Sequence, residues 1–112
     1  MQRRKNSGGY LMVRESPAQP WELEHRRVWS LEHRMAIPEG YEVHHIDKNK
    51  VNNKTSNLVL TLAAVHRRIH GEFPDACFIC GHDNHWADNC YSTTLFDGSR
   101  LPKLLRDIQA AW

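Results

Sequence analysis

The sequence predicts a small α+β fold with a metal-binding segment appended to it. Two observations support this prediction: the order strand, loop, strand, helix over residues 42–70, and a cluster of Cys and His between Cys77 and Cys90. The chain has 112 residues, the size of one domain. A chain this short buries a modest core, and such domains commonly need a metal or another cross-link.

The first elements precede the core of the fold. Residues 1–9 are basic and then rich in Gly and Ser, which predicts a flexible basic arm. A short strand is predicted over residues 10–14, followed by a loop with two prolines. The chain then lacks Gly and Pro from Trp21 to Met35, and Val28, Leu31 and Met35 recur at i, i+3 and i+7. This spacing predicts a helix with one apolar face.

The core is predicted from four consecutive segments. Residues 42–46 form a strand, residues 47–56 a polar loop rich in Asn and Lys, and residues 57–60 a second strand. Thr61 is the expected N-cap of a helix over residues 62–70. The core of the fold is therefore expected at residues 42–71, inside a domain over residues 10–74.

The remaining chain divides into a metal-binding segment over residues 75–92 and a tail over residues 93–112. In the tail, apolar residues recur at helical spacing and predict a short amphipathic helix: Leu101, Leu104, Leu105, Ile108 and Trp112. Its apolar stripe either packs into the core or forms a dimer or partner face.

Composition narrows the class of protein. The net charge is +2, but residues 1–74 hold 12 Lys and Arg against 8 Asp and Glu, a weakly basic balance that is compatible with a polyanionic partner without establishing one. No apolar run approaches the length of a membrane span, and no apolar segment follows the basic N-terminus, so we expect a cytoplasmic protein. Three cysteines exclude a closed disulfide framework, and with eight histidines they favour metal binding.

Four histidines form the first candidate site. His66 and His70 lie four residues apart in the predicted helix, so both imidazoles share one face and could hold one ion. His44 and His45 are neighbours in a strand and therefore point to opposite sides, one toward a metal and the other toward a substrate. Three protein ligands would leave coordination positions open for catalysis. Alternatively, all four histidines fill a closed structural zinc site.

The motifs around these histidines resemble a known family. The segments are EVHHIDKNKVNN at residues 42–53, SNLVL at 56–60 and HRRIH at 66–70. Together they are similar to the ββα-metal core of HNH endonucleases, most closely the phage and homing-endonuclease branch. Upstream, Glu24-His25-Arg26 and Pro38-Glu39-Gly40 resemble the lead-in of that branch. The resemblance covers roughly residues 10–71.

The resemblance implies a metal-dependent endonuclease that cuts double-stranded DNA to 3′-hydroxyl and 5′-phosphate ends. The resemblance implies that three residues bind a divalent ion: His44, His66 and His70. Mg²⁺ is the ion expected for the chemistry. This nitrogen-rich set also suits Mn²⁺, Ni²⁺ or Zn²⁺. His45 would be the general base, for which the ordinary histidine pKa of about 6.5 is suitable. Asn57 would fix the loop that orients His45, and Asp47 would support this loop rather than bind metal.

Basic residues near the core are candidates for contacts with DNA phosphates, although each could equally belong to a solvated surface: Lys48, Lys50, Lys54, Arg67 and Arg68. Lys48 stands where the family often has Gly. If that position needs a positive φ, Lys strains the loop; otherwise the turn differs and Lys48 touches DNA.

The second candidate site is a Cys/His cluster with the spacing C-x2-C-x4-H-x4-C, which resembles a CCHC zinc knuckle. Its four ligands would fill a structural Zn²⁺ site: Cys77, Cys80, His85 and Cys90. Gly81 follows the second Cys, where a positive φ is often required. His82 is a rival to His85 as the ligand.

The knuckle residues leave its partner open. Phe78 and Trp86 are the aromatics that stack on unpaired bases in that family. However, Asp83 and Asp88 make the segment acidic, and Asn84 replaces a frequent Gly, so a zinc cross-link or a protein contact is favoured over single-stranded nucleic acid. For the whole chain, the alternatives to a DNA endonuclease are a non-catalytic zinc module that binds nucleic acid or protein, and an RNA substrate.

Overall fold

The structure is a computed structural model that describes residues 1–111. The chain folds as two compact units, Met1–Leu60 and Thr61–Trp112, which are described in turn. Trp112, predicted to end the apolar stripe of the last helix, lies outside the described residues.

The first unit begins with a three-stranded antiparallel sheet in the order β1 (Gln2–Lys5), β2 (Leu11–Arg14) and β3 (Glu22–Leu23). The flexible arm predicted for residues 1–9 is therefore wrong at β1, which pairs with β2 along its whole length. The physical reason is the turn between them: the Asn6 side-chain oxygen accepts the backbone N–H groups of Gly8 and Tyr10 at 3.0 Å each.

Helix α1 (Glu24–His33) is shorter than the predicted Trp21–Met35. It starts after β3 has paired with β2, and it ends at Arg34, whose φ of 53° is left-handed. Its predicted apolar face is also wrong, since Leu31 is 66% exposed while Trp29 is buried together with polar residues of the first turn. Tertiary packing here overrides the apolar spacing.

Strands β4 (Tyr41–His45) and β5 (Leu58–Leu62) form a two-stranded sheet, and a 3₁₀ turn at Thr55–Asn57 precedes β5. Both predicted strands are confirmed with small shifts at their ends. The buried apolar residues of this first unit come from all of its layers: Val13, Trp29, Val43, Leu58, Val59 and Leu60.

The second unit contains α2 (Ala63–His70), a 3₁₀ turn at Ala87–Asn89 and α3 (Lys103–Ala111). The predicted cap of α2 is wrong. The N-cap position is Leu62, and the fully buried Thr61 instead donates its Oγ1 hydrogen bond to the carbonyl of Phe78 at 2.8 Å.

The predicted C-terminal helix is confirmed as α3, which follows Pro102. Leu101 and Leu105 are fully buried in the second unit, so part of the predicted stripe packs into the core. Val65, Ile69 and Ile79 also belong to this core. Within residues 1–111, no helix is both long and apolar enough to cross a membrane. The small α+β fold predicted from the sequence is confirmed.

Candidate functional site

His44 and His45 end strand β4, and both side chains are buried, at 2% and 6% exposure. Successive side chains of a strand point to opposite faces, so one backbone segment presents two imidazoles in different directions. The polar loop that follows must then keep this strand end fixed.

Asn57 fixes that loop through both ends of its side chain. Its Oδ1 accepts the backbone N–H of Asp47 at 3.0 Å, and its Nδ2 donates to Asp47 Oδ1 at 2.9 Å and to the carbonyl of Asn52 at 2.8 Å. Its own carbonyl accepts the N–H of Ile46 at 2.9 Å. Asn57 therefore ties the start of the loop, directly after His45, to the loop's far end.

Asp47 uses its carboxylate within the same loop. Hydrogen bonds from the Asn52 side chain, the Asn49 backbone and the Asn57 side chain lower the pKa of Asp47 below its ordinary value. These donors stabilise the charged form. Among the described residues, Asp47 is not part of a group of candidate metal ligands. Its contacts are those of a loop support.

Lys48 adopts the left-handed conformation, with φ at 62°. Its N–H donates to the carbonyl of His45 at 3.0 Å, closing a tight turn. The first of the two alternatives for this position is therefore the observed one. A side chain stands where glycine fits best, at a cost of about 1–2 kcal/mol.

The His45 ring has partners that the sequence did not reveal. Its Nε2 lies 2.7 Å from Asn53 Oδ1, and the Asn53 Nδ2 donates to Glu24 Oε1 at 2.9 Å. The other Glu24 oxygen accepts from Arg3 Nε at 2.7 Å. The His25 ring packs 4.7 Å from the His45 ring, centroid to centroid.

The signal for these residues was present in part. Glu24 and Asn53 both fall inside segments that resembled the HNH family, but neither had an assigned role. Arg3 gave no signal, because it was expected in the flexible arm and instead lies in β1.

His66 and His70 present their Nε2 atoms to each other on one face of α2, 2.9 Å apart. Candidate ligand atoms of His44, His66 and His70 all lie within 4.8 Å of one another. Two nitrogens bound at about 2.0–2.1 Å to one tetrahedral ion lie about 3.3 Å apart, so this donor set fits a divalent cation. His45 is not part of the group.

The Arg68 side chain makes contacts within the protein. Its Nε donates to the carbonyl of Gly81 at 2.6 Å, and its guanidinium carbon lies 3.8 Å from the ring centre of Phe73 and 4.6 Å from that of Phe96. Arg67, one residue earlier, is exposed. The two arginines predicted to contact phosphates thus have different surroundings.

The three lysines of the loop are exposed. Lys50 donates to the carbonyl of Gly8 at 3.0 Å, with its ammonium 5.0 Å from the Tyr10 ring centre. Lys48 and Lys54 have exposed side chains on the same loop. This surface can receive an anion without uncovering a buried group.

The second group of candidate ligands is the predicted zinc cluster. Ligand atoms of Cys77, Cys80, His85 and Cys90 lie within 4.8 Å of one another, and this group fits a zinc knuckle. The rival, His82, is not part of it and donates from Nε2 to the carbonyl of Thr94 at 3.2 Å. Gly81 has φ at 81°, and a Cβ there would meet Phe96 Cδ1 at 2.5 Å.

Hydrogen bonds connect the candidate ligands with one another and with α3. A hydrogen bond from the Cys77 thiol lowers the pKa of Cys80, and the same bond raises the pKa of Cys77. Gln109 Nε2 of α3 donates to Cys90 Sγ at 3.2 Å.

The remaining ligand, His85, is also oriented. Asn84 Oδ1 accepts from His85 Nδ1 at 2.6 Å, which leaves Nε2 as the ligand atom, 3.4 Å from Cys80 Sγ. Asn84 thus has a physical role at the position where the knuckle family often has Gly. Of the two aromatics that could stack on bases, Trp86 is 60% exposed and Phe78 is half-buried.

Part of this arrangement matches a family of known proteins. Residues 22–68 match the HNH endonuclease family. The match includes α1, both strands of the β4–β5 sheet, the loop and most of α2, which we call the HNH segment. The knuckle cluster lies outside the match. No curated protein and no solved structure matches the chain.

The resemblance seen in the sequence is confirmed over the HNH segment. The match favours a nuclease that acts on nucleic acid, and HNH nucleases use divalent metals. The Cys/His cluster adds a group that could bind zinc.

Proposed function

We propose that the protein is a metal-dependent endonuclease that hydrolyses double-stranded DNA to 3′-hydroxyl and 5′-phosphate ends. The observation that supports this most is that three of the four histidines form one group of candidate metal ligands and the fourth does not. His44, His66 and His70 offer nitrogens within 4.8 Å of one another, while the neighbouring His45 stays outside that group. Three protein ligands leave positions for substrate, and a separate imidazole is available for proton transfer.

In this proposal His44, His66 and His70 hold the divalent ion, which would neutralise the negative charge that develops on the phosphate. Mg²⁺ is proposed for the chemistry, and Mn²⁺, Ni²⁺ or Zn²⁺ also suit imidazole nitrogens. His45 takes the proton from the attacking water. Asn57 keeps the His45 backbone in place through its bonds across the loop.

Exposed cations would bind the DNA backbone. Arg67, Lys48 and Lys54 are proposed to contact phosphates because their side chains face solvent. We assign Arg68 to internal packing instead, and Lys50 is partly engaged by Gly8. We also propose a zinc ion in the knuckle and a cytoplasmic location, where reducing conditions keep cysteines available as ligands.

One observation favours a second candidate function. His45 is 6% exposed and hydrogen-bonded to Asn53, as a structural histidine would be. In that case the chain is a non-catalytic zinc module that binds nucleic acid or protein.

The deciding experiment incubates supercoiled plasmid with the wild-type protein and with His45→Ala, in Mg²⁺, Mn²⁺, Ni²⁺ or Zn²⁺. We expect nicked or linear DNA with the wild type and a loss of about 10²–10⁴-fold in His45→Ala, the usual share of a general base. His33→Ala removes another histidine, from the end of α1, and should cut normally.

Intact plasmid in every metal, or full cutting by His45→Ala, would contradict the endonuclease. A parallel reaction with single-stranded RNA tests the other substrate. Zinc content and thermal unfolding must be equal in all three proteins for the comparison to count.

A further inference from the structure

The hydrogen bond at one nitrogen of His45 determines what its other nitrogen can do. A neutral imidazole has one N–H donor and one lone-pair acceptor, and the partner at one nitrogen selects which is which. The Nε2 atom of His45 lies 2.7 Å from the Asn53 side-chain oxygen. An amide oxygen only accepts, so in this arrangement Nε2 carries the hydrogen and Nδ1 carries the lone pair.

This deduction requires that the Asn53 amide cannot turn around. An amide's oxygen and nitrogen are distinguished by their hydrogen-bond partners. The Asn53 Nδ2 lies 2.9 Å from Glu24 Oε1, and an ionised carboxylate only accepts. A reversed amide would set its oxygen against that carboxylate. Glu24 therefore directs the amide oxygen toward His45.

Glu24 is itself fixed. Its side chain is 11% exposed, and Arg3 Nε donates to Oε2 at 2.7 Å. Arg3 reaches it from β1, so the hairpin that the sequence did not predict supplies the last member of the chain of contacts. The His25 ring, 4.7 Å from His45, limits rotation of the imidazole.

We propose that Asn53 is a positioning residue that holds His45 in the tautomer with Nδ1 free to accept a proton, and that Glu24 sets the direction of the Asn53 amide. The proposal rests on the proposed function in one respect, the use of His45 as the base. The tautomer itself is a property of the folded chain and can be measured without DNA.

The test is side-chain ¹⁵N–¹H NMR of the histidines in the full, zinc-loaded chain. The His45 signals are assigned by their absence from the spectrum of His45→Ala. In the wild type we expect the ¹⁵N signal of His45 Nε2 to be that of a nitrogen that carries a hydrogen, and the signal of Nδ1 to be that of a nitrogen without one. Asn53→Ala should give a mixture of both tautomers. Plasmid cleavage should fall by about 10–100-fold, as for other outer contacts of catalytic groups, with the loss in kcat rather than KM.

Asn49→Ala is the matched control, because Asn49 belongs to the same loop and its side-chain oxygen accepts the backbone N–H of Val51 rather than contacting His45. It should keep the single tautomer and cut within about threefold of the wild type. Glu24→Gln keeps the side-chain volume and removes the acceptor-only charge, so it should also give both tautomers. This second variant preserves the test if Asn53→Ala fails to fold.

A hydrogen on Nδ1 in the wild type would overturn the proposal, as would one unchanged tautomer in both the Asn53 and Glu24 variants. If the tautomers change as expected but no wild-type preparation cuts DNA, the positioning of His45 stands and the endonuclease function fails. The two ideas are thereby separated.

Discussion

The three-histidine group and the knuckle cluster are built from similar residues but differ in what they leave open. The knuckle offers four ligands, and its three cysteines are buried. The histidine group offers three, of which His70 is exposed. Four protein ligands complete the tetrahedral coordination of a metal ion, whereas three leave a coordination position open for a substrate. In the proposed function, ligand number, more than ligand type, separates the structural metal group from the reactive one.

The hydrogen bonds around the two groups also differ in which residues they hold. In the knuckle, Asn84 orients one candidate ligand and Gln109 donates to another, so the outer hydrogen bonds act on the ligands themselves. In the HNH segment, Asn57 and Asn53 hold the backbone and ring of His45, which is not a member of the ligand group. In the proposed function, these outer contacts position the proton acceptor.

The largest expected effect is the loss of a knuckle ligand. Cys80→Ser should remove one zinc per chain and strongly lower the melting temperature, because structural zinc contributes apparent binding free energies of about 10–16 kcal/mol in zinc-finger peptides. Zinc analysis and thermal unfolding measure this. His82→Ala removes the histidine outside the cluster and should retain zinc. A Cys80→Ser protein with full zinc and an unchanged melting temperature would contradict a structural role for zinc in the knuckle.

A ligand of the histidine group should behave differently. His70→Ala is expected to reduce plasmid cleavage by about 10²-fold or more while shifting the free energy of unfolding by only about 0.5 kcal/mol, since the side chain is exposed. Cleavage assays and urea unfolding test both parts. If His70→Ala unfolds the chain as Cys80→Ser should, the histidine group is structural too, and the contrast between the groups disappears.

A smaller effect tests the tightness of the knuckle. Gly81 and Gly98 both have positive φ, but only Gly81 would place a Cβ against Phe96, at 2.5 Å. Gly98→Ala should cost about 1–2 kcal/mol of unfolding free energy from backbone strain. Gly81→Ala should cost about 1–3 kcal/mol more from overpacking. Urea unfolding compares them, and equal losses would show that the Phe96 ring moves aside.

The smallest expected effect is the acid sensitivity of the HNH loop. The pKa of Asp47 is lowered in the folded chain, so its stabilising contribution is complete above the ordinary value of 3.8 and disappears as pH falls through the lower, folded value. Asp47→Asn should flatten that part of the stability–pH curve, measured by thermal unfolding between neutral and acidic pH. An identical curve in wild type and variant would mean that the loop hydrogen bonds do not favour the charged carboxylate.

The sequence predicted what depends on local spacing. His66 and His70 share a helix face because they are four residues apart, and the knuckle ligands lie within one short segment. The sequence could not predict contacts between distant segments. Arg3 meets Glu24 through a hairpin, and Arg68 meets Phe96 through the knuckle fold.

Two errors have the same origin. The apolar spacing in α1 favoured Leu31, but the buried face is defined by Trp29 and by Glu24, which is polar and becomes buried because Arg3 and Asn53 satisfy its oxygens. Thr61 has the chemistry of a helix cap, but β5 extends through it and its hydroxyl bonds to Phe78. Partners outside the local segment decided both cases.

The Arg68 side chain connects the helix of two candidate metal ligands to the knuckle. Arg68 shares α2 with His66 and His70, and it is anchored to the carbonyl of Gly81, the residue after Cys80. In the proposed function, a strong chelator that removes the knuckle zinc would also loosen the turn that holds Arg68. The two metal groups would then not respond to metal loss independently of each other.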